Sequence, residues 1–377
     1  MPGPVSQESG DQSPENVKAL ADDDVPETSD GEQHAGPRDS KGWDGKARIE
    51  IQNPEALSDP EYSDDENVLH GEVIGADEDL LDDEDPDTNE INLTQARVIS
   101  IPALRLERFK KVVQLCFRQN LLVHIDGLSV VASTLQELDF YDNLITKIHG
   151  LDDLTELTSL DFSFNKIKHI KNVEHLTKLT DLYFVSNKIS RIEGLDSLVN
   201  LRQIELGSNR IREIQNLDAL KNLEELWLAK NKITELKGLG GLPKLKLLSI
   251  QSNRITDLSP LKEVPQLEEL YVSHNALESL EGLEGNINLR ILDISNNKVQ
   301  SLKGLGGLKM IEEVWASSNL ISNFDDVAKE LSDKESLTTV YFEGNPLQLK
   351  QPALYRNKVR LALPQIKQID ATFVRAA

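Results

Sequence analysis

The segment LRQIELGSNRIREIQNL (Leu201–Leu217) has leucine or isoleucine at its first, fourth and sixth positions and Asn209 at its ninth. The segment LEELWLAKNKITELKGL (Leu223–Leu239) has the same pattern, and LTSLDFSFNKIKHIKNV (Leu157–Val173) differs in having Phe162 at the sixth position. A fixed period of about 20 to 50 residues indicates a repeat architecture, in which each repeat packs on the next one. Here the ninth-position asparagine recurs every 22 residues, as Asn143, Asn165, Asn187, Asn209, Asn231, Asn253, Asn275, Asn297 and Asn319.

The pattern L-x-x-L-x-L-x-x-N is typical of leucine-rich repeats. It continues upstream to Asn120 and to a degenerate first repeat with Ala96 in place of the asparagine. Downstream, Asn345 follows after a longer spacing, and the extra residues NFDDVAKELSDKES predict a helix. We therefore predict an α/β fold, a leucine-rich repeat solenoid of about twelve 22-residue repeats over residues 88–347, with a parallel sheet on its concave face.

Both ends of a repeat stack need a polar cover. At the carboxyl end, apolar residues at helical spacing (Val359, Leu361 and Leu363) precede a proline and a short extended piece. We predict that residues 348–377 form a C-terminal leucine-rich repeat cap. The ladder asparagine is predicted to turn inward and to bind buried backbone groups, which makes it a structural residue.

The amino-terminal quarter has a different composition. Residues 1–90 hold 28 Asp and Glu against five Lys and Arg, whereas residues 91–377 hold 36 of each. A segment this acidic and poor in apolar residues is predicted to be disordered, and we assign residues 1–87 to an acidic tail. Within it, Ser63 in YSDDE fits an acid-directed kinase.

The sequence shows neither a secretory signal nor a membrane span. Its single cysteine, Cys116, fits a reducing compartment, so we predict the nucleus and cytoplasm as locations. A phosphate-binding loop, an activated nucleophile and a metal-ligand cluster are all missing from the sequence, so we predict a protein that is not an enzyme and needs no cofactor or metal. We expect the chain alone to be a monomer.

Within each repeat, the third, fifth and seventh positions are expected to point out of the concave face, with the fifth in the middle of the strand. These positions are rich in carboxylates and aromatic rings, and the only cation among them is Arg118. Aromatic residues dominate interface hot spots, and a negative face favours a basic or mixed protein partner over nucleic acid or an anionic membrane. The fifth positions are Asp139, Asp161, Tyr183, Glu205, Trp227, Ser249, Tyr271, Asp293, Trp315 and Tyr341, and the flanking ones include Glu137, Tyr141, Asp181, Glu225, Glu269, Glu313 and Glu343.

A second column is basic. The residue after the ladder asparagine is a cation in six repeats, and solvated charge on one rim is the simpler interpretation. The other hypothesis is that the acidic tail shields this row. Its members are Lys166, Lys188, Arg210, Lys232, Arg254 and Lys298.

The unbroken 22-residue repeats, their SNRI, SNKI and NNKV turns, the carboxyl-terminal VYFEGNPL and YRNKVRLALPQIKQIDATFV, and the acidic tail together resemble the regulatory subunit 7 family of protein phosphatase 1. The resemblance covers about residues 88–377. It implies a non-catalytic subunit whose concave face binds the phosphatase catalytic subunit and modulates its activity, maturation or targeting, with inhibitor-3 as a third partner.

Carried over by repeat register, the resemblance implies partner-binding roles for Asp161, Tyr183, Glu205, Trp227, Asp293, Glu313, Trp315 and Tyr341, with Asp139, Tyr141, Glu225, Glu269 and Tyr271 as secondary contacts. The sequence has no short phosphatase-docking motif, because RIEI (Arg48–Ile51) lacks the final aromatic residue. Docking would therefore rest on the repeats.

One alternative stays open at the level of sequence. Acidic nuclear leucine-rich repeat modules bind histones or ribonucleoprotein components, and this chain shares their acidic character. Those proteins usually carry the acidic segment after the repeats, whereas here it precedes them.

Overall fold

The computed structural model describes residues 80–374. These residues form one 14-stranded sheet in which the strands follow each other in chain order. The first twelve strands pair in parallel, and the pairing joins equivalent positions of neighbouring repeats, as in Glu205 with Trp227. The predicted leucine-rich repeat solenoid is therefore confirmed.

Each repeat strand is only three residues long. The strands are β1 Glu90–Asn92, β2 Gln114–Cys116, β3 Glu137–Asp139, β4 Ser159–Asp161, β5 Asp181–Tyr183, β6 Gln203–Glu205, β7 Glu225–Trp227, β8 Leu247–Ser249, β9 Glu269–Tyr271, β10 Ile291–Asp293, β11 Glu313–Trp315 and β12 Thr339–Tyr341. They cover the third to fifth positions of the repeat. The expectation that the fifth position lies in the middle of the strand is wrong, because it is the last strand residue.

The hydrophobic core lies behind the sheet and is built from the repeat leucines. Side chains at the fourth and sixth positions are fully buried, as shown by Leu226 and Leu228 in one repeat. In the amino-terminal half the sixth position holds phenylalanines that stack, with ring centroids 5.6 Å apart for Phe117 and Phe140 and 5.4 Å apart for Phe140 and Phe162. One continuous apolar stack thus holds the repeats together.

The ladder asparagines bind backbone groups of three neighbouring segments. In the repeat of Asn209, the side-chain Nδ2 donates to the carbonyl of Phe184 (2.7 Å) and to that of Leu206 (3.1 Å), while Oδ1 accepts from the backbone N–H of Ile189 (2.9 Å). The side chain is 7% exposed. The predicted structural role of these asparagines is confirmed.

The chain turns at the eighth position, directly before each ladder asparagine. Non-glycine residues there have a left-handed backbone, with φ near 55° at Ser208 and Ser252. Asparagine and aspartate, which occupy this position at Asn296 and Asp142, tolerate the conformation better than bulky residues do. Phe164 occupies the same position with φ 56°.

The insertion in the last repeat forms the predicted helix, α1 Phe324–Leu331, whose amino terminus is capped by Asn323. Beyond β12 come α2 Pro346–Leu349 and α3 Pro352–Ala362, then β13 Gln368–Ile369 parallel to β12, and β14 Thr372–Phe373 antiparallel to β13. Short 3-10 helices occupy Pro102–Leu104, Leu106–Arg108, Leu128–Val131 and Ser259–Glu263.

The carboxyl-terminal cap is held by one buried carboxylate. Asp370 accepts hydrogen bonds from the Tyr355 hydroxyl (3.0 Å) and from the backbone N–H of Phe342 (2.9 Å). Of the apolar residues used to predict the helix, Val359 and Leu363 are buried, but Leu361 is 81% exposed. The contribution expected of Leu361 to the cap core is therefore wrong, since only one side of α3 packs on the repeats.

At the other end, Leu81 is buried and Asp82 forms an ion pair with Arg108 (2.7 Å). These residues belong to the last part of the predicted acidic tail; residues 1–79, with Ser63, lie outside the described residues. Across residues 80–374, the structure has no helix long and apolar enough to cross a membrane.

Candidate protein-binding face

The fifth-position side chains form a single strip across the sheet. They stand in register on successive strands, which lie about 4.8 Å apart in a sheet. From β4 to β11, acids and aromatic rings alternate, except that Ser249 replaces an acid, and β12 then adds a second consecutive aromatic ring, Tyr341. The strip reads Asp161, Tyr183, Glu205, Trp227, Ser249, Tyr271, Asp293, Trp315 and Tyr341.

We call the surface made by the third, fifth and seventh positions the open sheet face. Every residue predicted to bind a partner lies on it, including the secondary set of Asp139, Tyr141, Glu225, Glu269 and Tyr271. Most of these side chains are half-buried by their neighbours, whereas Asp293 is 8% exposed. The structure thus brings the predicted residues together, and their role in binding stays a prediction.

Three aromatic residues meet at the carboxyl-terminal end of the strip. The ring centroid of Trp315 lies 6.0 Å from that of Tyr271 and 6.2 Å from that of Tyr341, both within the range of aromatic pairing. The Tyr341 hydroxyl also accepts a hydrogen bond from Gln368 of β13 (2.8 Å). We call Tyr271, Trp315 and Tyr341 the aromatic cluster.

Glutamates at the third position hold the polar edges of these rings. Trp315 Nε1 donates to Glu313 Oε2 (2.8 Å), and the Tyr271 hydroxyl donates to Glu269 Oε2 (2.7 Å). Trp227 Nε1 makes the same contact with its third-position glutamate, Glu225 Oε2, at 3.1 Å. Each of these glutamates therefore fixes the orientation of an aromatic side chain two residues later on its own strand.

The fifth-position acids of the strip have pKa values that are shifted by burial. Burial raises the pKa of Asp161, Glu205 and Asp293, because partial removal from water disfavours the carboxylate. Backbone N–H groups partly compensate at Asp161 and Asp293; Ser163 N lies 2.7 Å from Asp161 Oδ1. A cation from a partner would compensate further.

Burial and four surrounding carboxylates also raise the pKa of Tyr183 to about 12, so this phenol stays protonated at neutral pH. It lies between Asp161 and Glu205 on the neighbouring strands. The middle of the strip therefore offers a neutral ring between two negative charges.

Arg118, the cation expected on this face, does not serve as a free positive group. It donates to Asp139, lies 3.6 Å from Asp161 Oδ2 and stacks over the Tyr141 ring at 4.9 Å from its centroid. The open sheet face consequently stays negative and aromatic.

Sequence reasoning missed Phe164 because it lies at the eighth position and not on a strand. Its ring is 44% exposed and pairs with Tyr141 at a centroid distance of 4.8 Å. An exposed phenylalanine with a left-handed backbone is uncommon. The signal in the sequence is a phenylalanine at the eighth position, where most other repeats have a polar residue.

The hydrogen bond of Glu313 gives a prediction for the free protein. Glu313→Gln keeps an acceptor for the indole N–H of Trp315, whereas Glu313→Ala removes it. In ¹H–¹⁵N spectra we expect the Trp315 indole resonance to move little in the glutamine variant and clearly in the alanine variant. The Trp227 indole, bound to Glu225, is the internal control. Equal shifts in both variants would contradict an orienting role.

Asp293 gives a prediction about the stability of the free protein, because replacing this residue should stabilise the fold. Its carboxylate is 8% exposed and its pKa is raised by burial, so its charge destabilises the folded state at neutral pH. Asn keeps the acceptor for Ser295 N, which lies 2.9 Å from Asp293 Oδ1. We expect Asp293→Asn to raise the free energy of unfolding by about 1 kcal/mol at pH 7.

The sign of the pH dependence provides the check on this variant. The pKa of the Asp293 carboxyl is raised in the folded state above its unfolded value of 3.8. Well below pH 3.8 the carboxyl is therefore protonated in both states, and its charge no longer destabilises the fold. The advantage of the asparagine variant in urea unfolding should therefore disappear below about pH 4. A gain that persists at pH 3 would have another cause.

The structure shows no group of His, Cys, Asp and Glu residues suited to a metal ion between residues 80 and 374.

The repeats match a known family profile, described as leucine-rich repeats in two copies, at residues 177–219, 221–263 and 265–307. Similar solved structures include a Leptospira interrogans leucine-rich repeat protein (TM-score 0.63, 27% identity, 75% of this chain and 70% of that chain). An internalin from Listeria monocytogenes matches with TM-score 0.60 at 22% identity, over 76% of this chain and 87% of the other, and shows the fold alone.

Curated relatives are more similar in sequence over shorter stretches. Protein phosphatase 1 regulatory subunit SDS22 of Saccharomyces cerevisiae is 46% identical over 106 residues, which are 28% of this chain and 31% of the relative. Its Schizosaccharomyces pombe counterpart is 53% identical over 84 residues, 22% of this chain and 24% of the relative. Protein phosphatase 1 regulatory subunit 7 of Homo sapiens is 65% identical over 46 residues, 12% of each chain.

The matched stretches thus span at most about a third of the yeast relatives. Together with the fold, they confirm the resemblance found in the sequence. The chain is a leucine-rich repeat protein with curated relatives among the regulatory subunits of protein phosphatase 1.

Proposed function

We propose that this protein is a non-catalytic regulatory subunit that binds the catalytic subunit of protein phosphatase 1 through the open sheet face. The names of the curated relatives supply the partner. The observation that carries the site is the strip of alternating acids and aromatic rings, in which half-buried carboxylates such as Glu205 stand beside rings such as Trp227.

The chemistry of this strip favours a partner surface that presents cations between apolar groups. Asp161, Glu205 and Asp293 are already partly desolvated, so a further loss of water costs less than for a fully hydrated carboxylate. Arginine suits such places, because its guanidinium pairs with a carboxylate and stacks on a neighbouring ring. The alternation would therefore select partners by the spacing of their basic residues.

The aromatic cluster supplies the apolar part of the interface. Its rings are oriented before binding by contacts within the protein, including the bond from Trp315 to Glu313. Preorganised side chains lose little conformational entropy when a partner binds. Tryptophan and tyrosine in such clusters are the usual hot spots of interfaces.

Binding of this kind would modulate the activity, maturation or targeting of the phosphatase. We further propose that a ternary complex with inhibitor-3 forms and that the protein acts in the nucleus and cytoplasm. Phosphorylation at Ser63 would add charge to the acidic amino-terminal segment.

The test is a calorimetric titration of the full chain with the purified phosphatase catalytic subunit. We expect a dissociation constant below about 1 μM, equivalent to at least ~8 kcal/mol. Leu361→Ala is the control, because Leu361 is an apolar residue 81% exposed on α3, outside the sheet. It should bind like the wild type.

Core histones serve as the competing partner in the same titration. Tighter binding to histones than to the phosphatase would contradict the proposal and favour a histone-binding module. Absence of phosphatase binding by the wild type would also contradict it.

A further inference from the structure

A row of cations runs along the edge at which the repeat strands end. Each member is the tenth residue of its repeat and follows the ladder asparagine. The backbone N–H of each donates to a carbonyl of the preceding repeat; Arg210 N, for example, lies 2.8 Å from Ile189 O. The structure therefore aligns one side chain per repeat. We call the row of five consecutive repeats the basic edge: Lys166, Lys188, Arg210, Lys232 and Arg254.

The fold itself does not require a cation at this position. Ala276 and Leu320 occupy it in later repeats, and their N–H groups make the same backbone bond, at 2.9 Å in each case. Five like charges at spacings of about 5 Å repel one another. Their presence in consecutive repeats thus needs an explanation other than folding.

Among the described residues, four of the five cations of the basic edge are not balanced by a neighbouring carboxylate; Lys188 is the member that has a partner. Across residues 80–374, Arg210, Lys232 and Arg254 make no ion pair with a carboxylate, and the same holds for Lys166. The next exposed positions add Lys168 and Arg212, whereas further round the coil the charges are mixed.

The opposite edge, where the strands begin, shows what a balanced row looks like. There Glu224 lies 3.2 Å from Arg202 and 3.0 Å from Lys246, and Arg290 lies 2.9 Å from Glu312. Cations and acids alternate from repeat to repeat and neutralise each other. The two edges of the sheet therefore differ in charge: one carries paired cations and acids, and the other carries a row of cations.

We propose that the basic edge binds an extended acidic segment of a partner protein. Five positions at about 4.8 Å span roughly 19 Å, which is the length of about six residues of extended chain. A narrow peptide can lie along this edge without covering the acids of the open sheet face. The edge is thus a second interaction surface, separate from the proposed phosphatase site.

Nucleic acid fits this edge less well. Single-stranded nucleic acid sites combine positive charge with aromatic platforms for the bases, and within residues 80–374 the aromatic ring beside the basic edge is Phe164, at its first repeat. A duplex would also overlie Asp161 and Glu205, which repel phosphate. The hypothesis that residues 1–87 shield this row concerns residues that, apart from 80–87, lie outside the described part of the chain.

The test uses the full chain and a fluorescein-labelled deca-glutamate peptide, measured by fluorescence polarisation at 50 and 150 mM salt. The test variant combines Arg210→Glu, Lys232→Glu and Arg254→Glu. The control combines Lys178→Glu, Lys221→Glu and Lys244→Glu, three exposed residues on the opposite edge, and changes the net charge equally. We expect at least tenfold weaker binding for the test variant and less than threefold for the control.

A second variant covers the case in which charge reversal prevents folding. Arg210→Ala, Lys232→Ala and Arg254→Ala should fold, because Ala276 already occupies this position in another repeat. It should also weaken peptide binding at least fivefold. The proposal is overturned if the wild type does not bind the peptide, if test and control variants lose equal affinity, or if a ten-residue oligothymidylate binds more tightly than the peptide.

Discussion

Trp315→Ala is expected to weaken binding of the phosphatase catalytic subunit at least 30-fold, about 2 kcal/mol or more. Trp315 lies between Tyr271 and Tyr341 in the aromatic cluster and beside Asp293 on the neighbouring strand. Its truncation would remove the central ring of the cluster and leave a gap that water can enter. The measurement is the calorimetric titration of the full chain with the catalytic subunit.

The size of this effect should depend on position within the strip. Trp227 lies between Glu205 and Ser249, and no aromatic ring among the described residues lies in stacking range of it. We therefore expect Trp227→Ala to cost less than Trp315→Ala. Leu361→Ala, on α3 and outside the sheet, should bind like the wild type, and unchanged thermal unfolding of each variant would show that the fold is intact.

An affinity that is unchanged in both tryptophan variants would show that the phosphatase binds elsewhere on the repeats. A loss for Trp227→Ala alone would move the centre of the interface towards the amino-terminal acids. Both results would leave the leucine-rich repeat fold untouched, because Trp227 and Trp315 project away from the core.

The repeat register could be predicted from the sequence because each ladder asparagine must lie at a fixed position relative to the backbone groups that it binds. Its donors and acceptor each meet a defined backbone group, so the 22-residue spacing fixes which residues face the core. Period-two alternation around it then assigns Tyr183, Glu205 and Trp227 to the open sheet face. This much follows from local chemistry.

The finer geometry depends on features that the repeat pattern does not encode. The strand ends at the fifth position because the chain turns at the left-handed eighth residue, as at Ser208. Whether Glu313 points to a partner or to Trp315 is a matter of rotamers, and the structure shows the second arrangement. Leu361 has the right spacing for a buried helix residue, yet α3 packs with its other side.

Buried polar groups of the open sheet face and of the core differ in how fully they are hydrogen-bonded. In the core every buried polar atom of the asparagine ladder is paired, whereas acids such as Asp293 are buried with only partial compensation. Substitutions should therefore separate the two classes. Neutralising an acid of the strip should stabilise the free protein and weaken binding, and removing a ladder asparagine should destabilise it.

Asn209→Ala is expected to lower the free energy of unfolding by about 3 kcal/mol. The change removes the bonds to Phe184 O (2.7 Å), Leu206 O (3.1 Å) and Ile189 N (2.9 Å). It leaves the Ile189 N–H and the Phe184 carbonyl buried without this partner, and water cannot reach them easily because Asn209 is only 7% exposed. Urea unfolding followed by circular dichroism would measure the loss.

Asn200→Ala is the matched control for this prediction. Asn200 is exposed and its side chain makes a single described bond, from Nδ2 to Thr177 O at 2.9 Å, so its loss should cost less than about 1 kcal/mol. Since each repeat packs only on its neighbours, the damage from Asn209→Ala should spread to the adjoining strands β5 and β7. Hydrogen exchange should therefore accelerate there more than in β11 and β12. Equal destabilisation by the two alanine variants would mean that the ladder contributes no more than a surface hydrogen bond.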